Sequence, residues 1–433
     1  MRPISKEAWV ALVIILVGGM VLRVAYIDKV YVADPFKADA GEYRAYADNL
    51  RLNGVFSKSS QMPPPPDSFR SPGYPLFLLG VHAAVGEDDF YDIVLRVQAV
   101  LGALAAALSF FLARRFLPDY LALVAAGITA TSPHLVVMTG YILTETLFTF
   151  LLLASLLVFL RAVEWERKYG LGAAGFAFGV TYLVNETASL LVVALSLGIL
   201  LFYGKPGRLK AAGLLFGVFL VFPVAWKARD AIVVPDGAPR GGQRALATMA
   251  HGTYVDFTHE DPTFQYYPYR EDPRYAELSG SFAGFRKVFL ERAGKDPNRY
   301  LRWYFLEKPV HLFGWSYLQG TGDIYIYKTQ DSPLESHPVL SALKALHRFL
   351  HPLLVVLALL ALPVWLFRIR RDAFAESPGP FLIVVLTYVA IAVVFAPWPR
   401  YALPLKPLLF GLAMWIPALI FKGVEGARTR VGN

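Results

Sequence analysis

Long apolar runs separated by short charged stretches dominate the chain. The first, Ala8–Ile27, matches the ~20 residues needed to cross hydrocarbon as a helix. Further runs fall at about 92–113, 119–136, 140–161, 170–184, 187–204, 210–226, 350–368, 380–396 and 403–421. With the first they predict an all-α polytopic membrane protein of about ten transmembrane helices. Arg2 and Lys6 precede the first run and no small-residue cleavage site follows it, so it reads as a retained helix. The pattern changes between residues 28 and 73. In Glu42–Leu52 the apolar positions Tyr43, Tyr46, Ala47 and Leu50 recur at helical spacing, while Glu42, Arg44, Asp48 and Arg51 take the other face. Asn53-Gly54 ends the pattern, which predicts a helix lying along the interface. The run Pro63–Pro66 is extended and stiff.

Tyr74–Gly86 is mostly apolar but too short to span comfortably, and charge decides its fate. If it crosses, the basic clusters Arg114-Arg115, Arg161–Lys168, Lys205–Lys210 and Arg368–Arg371 all face outward. If it does not, they fall inside with Arg2, Lys6 and the tail Lys422–Arg430. The positive-inside rule therefore predicts a second juxtamembrane helix, flat or re-entrant, in an inner (plasma) membrane protein with both termini cytoplasmic. The outside then carries the loop 28–91, the turns before Glu145 and at Asn185-Glu186, the segment 227–349, and Pro397-Trp-Pro-Arg400. Three units follow: a transmembrane module 1–226 with its first extracytoplasmic loop 28–91, an extracytoplasmic α-rich subdomain 227–349, and C-terminal helices with a cytoplasmic tail, 350–433. The middle unit is rich in aromatic residues (Gln265–Arg270, Tyr300–Phe305, Trp315-Ser-Tyr317) suited to resting on a bilayer.

Composition agrees: 56% of residues are hydrophobic and 17% charged, against about 25% charged in soluble domains. The net charge of +9 does not argue for nucleic acid, because its lysines and arginines lie between the apolar runs. The absence of cysteine excludes disulfides, a thiol nucleophile and thiolate metal sites.

Several charged residues on the outer face invite chemistry, each with a plainer reading beside it. Asp39-x-x-Glu42 has the form of a capping box, the stronger reading on residue types alone; the other makes Asp39 a base that takes a proton from a hydroxyl. Arg70, before Pro-Gly-Tyr-Pro, is either a snorkelling arginine or a planar fork for a phosphate. Arg400 sits in a Pro-bounded turn on the side where inside-facing bias would not put it, and a phosphate would supply the reason. Glu145 is either a helix-start charge or a carboxylate facing a cavity. Arg96 suits a headgroup or phosphate as well as a structural ion pair, and Glu186 reads as a turn residue. Asp39, Glu42 and Glu145 are the oxygen donors for any divalent cation.

At these residues the chain resembles the GT-C superfamily of membrane glycosyltransferases, and within it the dolichyl-phosphate-mannose–protein mannosyltransferase-like family that includes aminoarabinose transferases. The matching elements are Asp39-x-x-x-Tyr43-x-x-x-Ala47-x-x-Leu50-x-x-x-Gly54, Arg70-x-Pro-Gly-Tyr-Pro75, Thr144-Glu145, and Arg400-Tyr-x-x-Pro404. The resemblance implies a GT-C fold and an inverting transfer of one sugar from a polyprenyl-phosphate donor, outside the membrane, to a hydroxyl on a protein, lipid or glycan. By that analogy Asp39 is the general base and Arg70 and Arg400 hold the phosphate, with Glu42, Tyr43, Tyr74, Arg96, Glu145 and Tyr401 as further substrate contacts. Related bacterial sequences tend to have Leu-Thr-Arg-Pro where this chain has Leu183-Val-Asn-Glu186, so a basic contact is expected to be missing there.

Two other classes were weighed. A transporter or lipid flippase predicts repeated halves around a mid-membrane site, whereas these charges lie on one face. A ligase or polymerase moving whole glycans differs in the mass of its product.

Overall fold

The structure, a computed structural model, describes residues 3–165, 169–204, 206–315, 327, 329–368 and 371–431. Ser316 and Tyr317 of the aromatic stretch, and parts of the basic clusters at 166–168, 205 and 369–370, lie outside the described residues. The chain is almost wholly helical: α1 (Lys6–Ile27), α2 (Asp39–Asn53), α3 (Gly73–Val85), α4 (Phe90–Ala113), α5 (Asp119–Thr131), α6 (Pro133–Val137), α7 (Glu145–Trp165), α8 (Gly170–Val184), α9 (Ala188–Phe202) and α10 (Arg208–Val233). There follow α11 (Gly241–His251), α12 (Tyr275–Gly280), α13 (Phe282–Lys295), α14 (Pro297–Arg302), α15 (Lys308–Leu312), α16 (Pro333–Ser336), α17 (Pro338–Phe367), α18 (Gly379–Val394) and α19 (Lys406–Val431).

This is a multi-pass membrane protein. Six described helical segments are long and apolar enough to cross: α1, α4, residues 145–164, α10, α17, and 399–421 leading into α19. The residues 119–140 form two helices bent by 50° at their junction, a broken span or a re-entrant loop. The bend falls inside the span expected at about 119–136, and Pro133 causes it. Proline cannot donate to the preceding turn and pushes Ser132 out of the helical region, to ψ 117°. Three shorter apolar helices, α8, α9 and α18, occupy the remaining expected spans. At 15 or 16 residues they reach roughly 22–24 Å, less than the ~30 Å of hydrocarbon, and they pack between longer helices. Other bounds also move. The segment expected to start at 140 becomes helical only at Glu145, and α10 runs past the expected 226 to Val233. The helix expected at 350–368 begins at Pro338 and passes residue 349 unbroken.

The juxtamembrane helices form as expected. Gly54, at φ +66°, ends α2 in the left-handed conformation that glycine adopts at little cost. The N-terminus of α3 lies so close to the end of α8 that a Cβ at Gly73 would sit 2.7 Å from the Leu183 carbonyl. That contact fixes where Arg70 leaves the loop.

Two short connections tie the first loop to the middle segment. Tyr31–Val32 pairs antiparallel with Thr329–Gln330, and the Ser68 N–H donates to Pro239 O while Gly241 N–H donates to Ser68 O. One extended core runs through the bundle. A second small core under α11–α13 holds Tyr254, Leu278 and Val288. A third joins Phe257 and Trp303 to Ala396 and Trp398, the turn that carries Arg400. Buried Lys308 finishes the joint by donating to Val393 O and Phe395 O, the last carbonyls of α18, at 2.9 and 3.1 Å.

Candidate functional site

Ala38, at φ +48° and ψ −123°, turns the chain sharply into α2. Asp39, Glu42 and Tyr43 then share one face of its first turn, at i, i+3 and i+4. The capping box expected of Asp39 and Glu42 is not made: no side chain caps this helix. Both carboxylates accept from basic groups instead. Asp39 Oδ1 accepts from Arg70 Nη2 at 2.7 Å, and its Oδ2 accepts from Arg400 Nη2 at 3.0 Å. Arg70 Nε donates to Glu42 Oε2 at 2.6 Å, and Lys58 Nζ to Glu42 Oε1 at 2.7 Å. Arg400 uses its Nε for Glu145 Oε1 at 2.9 Å, so it bridges two carboxylates.

Burial pushes the Asp39 carboxyl up, but Arg70 and Arg400 outweigh it and hold the group well below the usual carboxylate range. Burial raises the Tyr43 hydroxyl above its ordinary value, so this tyrosine is a neutral donor. A carboxylate with both oxygens taken is a weak base until one guanidinium lets go.

The cluster forms the polar end of a cavity of about 410 Å³. Asp39, Tyr43, Arg70, Glu145, Arg400 and Tyr401, all candidates on the sequence, line it. Phe148, Leu190, Ile391 and Phe395 add apolar lining to the same cavity. Three expected contacts lie elsewhere. Glu42 stands behind the lining and braces Arg70 and Lys58. Tyr74 is fully buried, donates to Gln98 Oε1 at 2.9 Å and packs edge-on against Tyr43. Arg96 is solvent-facing and pairs with Asp92 and Asp28, which is the structural alternative noted for it.

Two residues gain importance. Glu186, read as a turn residue, lines the cavity and accepts from Ser71 Oγ at 3.2 Å and Arg244 Nη2 at 3.1 Å. Arg244, from α11, carries no sequence signal, because its segment is long and mixed in charge and one more arginine there does not stand out. The basic group expected to be missing near Leu183–Glu186 thus comes from α11, brought across by the Ser68–Gly241 pairing.

The three carboxylates considered for a divalent cation do not fit one. Asp39, Glu42 and Glu145 each face a guanidinium or ammonium group, and no described group of three or more acidic, histidine or cysteine residues is placed to share a metal.

With this geometry in hand, comparison with known proteins places the fold. The apo oligosaccharyltransferase of Archaeoglobus fulgidus superposes with a TM-score of 0.52 at 14% identity, over 98% of this chain and 51% of that one. The same protein in complex with Zn and sulfate gives 0.51 at 14% identity, over 95% and 51%. The ArnT of Cupriavidus metallidurans bound to undecaprenyl phosphate gives 0.42 at 15% identity, over 96% and 79%. The chain therefore spans about half the length of the archaeal chains it matches. No curated protein matches it in sequence. The chain shares the fold of the membrane-embedded part of that archaeal protein. Residues 70–226 match the family model of the dolichyl-phosphate-mannose-protein mannosyltransferases, the likeness already read from the motifs.

Proposed function

We propose that this chain is an inverting glycosyltransferase that moves one sugar, a hexose or pentose, from a polyprenyl-phosphate donor to a hydroxyl of a protein, lipid or glycan. The reaction takes place on the extracytoplasmic side, with both termini cytoplasmic. On this reading residues 1–226 hold the donor, 227–349 cover the site and select the acceptor, and 350–433 contribute Arg400.

The observation that carries the reading is the meeting of Arg70 and Arg400 on Asp39 at the charged end of a cavity with apolar lining. A polyprenyl tail suits that lining, and its phosphate suits the guanidinium forks. The lining residues Asp39, Glu145 and Glu186 oppose Arg70, Arg400 and Arg244 one for one, so an entering phosphate must compete with carboxylates for its partners. That competition does chemical work. As a guanidinium swings to the phosphate, Asp39 loses a bond that suppressed its basicity and becomes able to accept the acceptor's proton. The acceptor oxygen then forms its bond to the anomeric carbon on the face opposite the phosphate. The anomeric C–O bond breaks with its electron pair leaving on polyprenyl phosphate, whose growing charge the arginines stabilise.

The test is release of polyprenyl phosphate, a readout indifferent to the sugar. Purified protein in nanodiscs is given a panel of polyprenyl-phosphate hexoses and pentoses with membrane extract as acceptor source, and products are read by mass spectrometry. One sugar added per acceptor supports the reading. Donor crossing the bilayer intact, or transfer of whole glycans, ends it.

A further inference from the structure

Arg23 is the one fully buried arginine of α1, a membrane-spanning helix, and has no carboxylate within salt-bridge distance among the described residues. Its Nη1 donates to Gly19 O at 2.8 Å and to Ala130 O at 2.9 Å, the latter at the C-terminal end of α5 where carbonyls are unpaired and the helix dipole is negative. Its Nε and Nη2 have no protein partner, and neither does buried Thr146 Oγ1. Such groups cost stability unless something satisfies them.

These orphaned atoms belong to residues that line one small cavity, of about 10 Å³, together with Glu145 and Thr149. That is about the space a single water needs, and the walls offer the 2–4 polar partners that hold one. The slot for the guanidinium is built into the helices. A Cβ at Gly102 would lie 2.5 Å from Arg23 Nε, and one at Gly19 would lie 3.3 Å from Nη1. Glu145 is the hinge between this cavity and the charged cluster, because its Oε1 holds Arg400, which in turn holds Asp39.

We propose that a water bound between Arg23, Thr146 and Glu145 locks the Glu145 carboxylate against Arg400, so that Arg23 is a positioning residue for the reaction. It touches no substrate and acts through Glu145. That carboxylate shares one guanidinium with Asp39, so fixing it keeps Arg400 in register. The role in catalysis rests on the transferase reading above, whereas the bound water does not.

Two arms separate those claims. In a map of the full chain in nanodiscs at water-resolving quality, density is expected within hydrogen-bonding reach of Arg23 and Thr146, and its absence overturns the site whether or not sugar is transferred. In the polyprenyl-phosphate release assay, Arg23→Met is expected to lower kcat per folded molecule about tenfold at unchanged donor KM, as a small misplacement of a catalytic group does. Arg23→Lys should recover part of the loss, a rescue that simple packing would not give. Wild-type kcat in folded Arg23→Met overturns the positioning role. Should that variant not fold, Thr146→Val decides, with a lowered kcat in support and a wild-type kcat against.

Discussion

Asp39→Asn keeps the shape of the side chain and removes its charge and basicity. In the proposed reaction Asp39, as general base, is asked for ~10²–10⁴ in rate, or about 3–5 kcal/mol of barrier. The fold loses much less. Arg70 keeps Glu42 and Arg400 keeps Glu145, so neither guanidinium is stranded, and the Asp39 side chain is 26% exposed. The cost to stability is therefore about 1–2 kcal/mol, the range of one charge-assisted hydrogen bond lost beside solvent. Affinity for donor should move the opposite way to rate. The native carboxylate competes with phosphate for Arg70 and Arg400, so its loss should lower donor KM while kcat collapses. Initial rates of polyprenyl-phosphate release across donor concentrations, with melting followed by intrinsic fluorescence, separate the three effects. A folded Asn variant turning over at the wild-type rate refutes Asp39 as base. A collapsed rate with raised KM refutes the competition argument alone.

Three further outcomes follow from the same geometry. Arg244→Gln should raise donor KM with little change in melting, because Glu186 is the carboxylate it holds and that carboxylate is 37% exposed; unchanged KM removes Arg244 from the phosphate site. Arg96→Ala should leave turnover intact and cost less than about 1 kcal/mol, since its pairs with Asp28 and Asp92 are solvent-screened, and lost activity would return Arg96 to the candidate site. A group whose folded pKa is depressed stabilises above its unfolded pKa, ~3.9 for aspartate, and loses that contribution as pH falls toward the folded value. The melting difference between wild type and Asp39→Asn should therefore stay constant from pH 8 to about 5 and shrink only below about 4; a difference that decays between pH 7 and 5 contradicts the depressed carboxyl.

The membrane frame was legible because hydrocarbon imposes a length, which leaves apolar runs of matching size along the chain. What escaped was local or distant. The break before Pro133 lies inside a continuous apolar run, so hydropathy passed over it although the proline was visible. The polar turns at 338–349 extend α17 beyond the hydrocarbon, where an apolarity criterion cannot follow a helix. Asp39-x-x-Glu42 reads as a cap because the competing partners are 31 and 361 residues away, and no local pattern announces a guanidinium arriving from there. Arg400 stood out as a lone charge in a short Pro-bounded turn, whereas Arg244 lies in a segment too mixed in charge to reveal it.

Arg400 grips two acids at once, and this bears on the crowd in which the molecule lives. Every phospholipid around the bundle also carries a phosphate in its headgroup, and such bystanders vastly outnumber any rare carrier lipid. A bare guanidinium pair at the mouth of a greasy cleft would be fouled by them continuously. On the proposed reaction, Arg70 and Arg400, their forks already occupied, would yield only to an anion that brings further contacts of its own, and internal pairing would act as a filter that keeps common lipids out of the cleft.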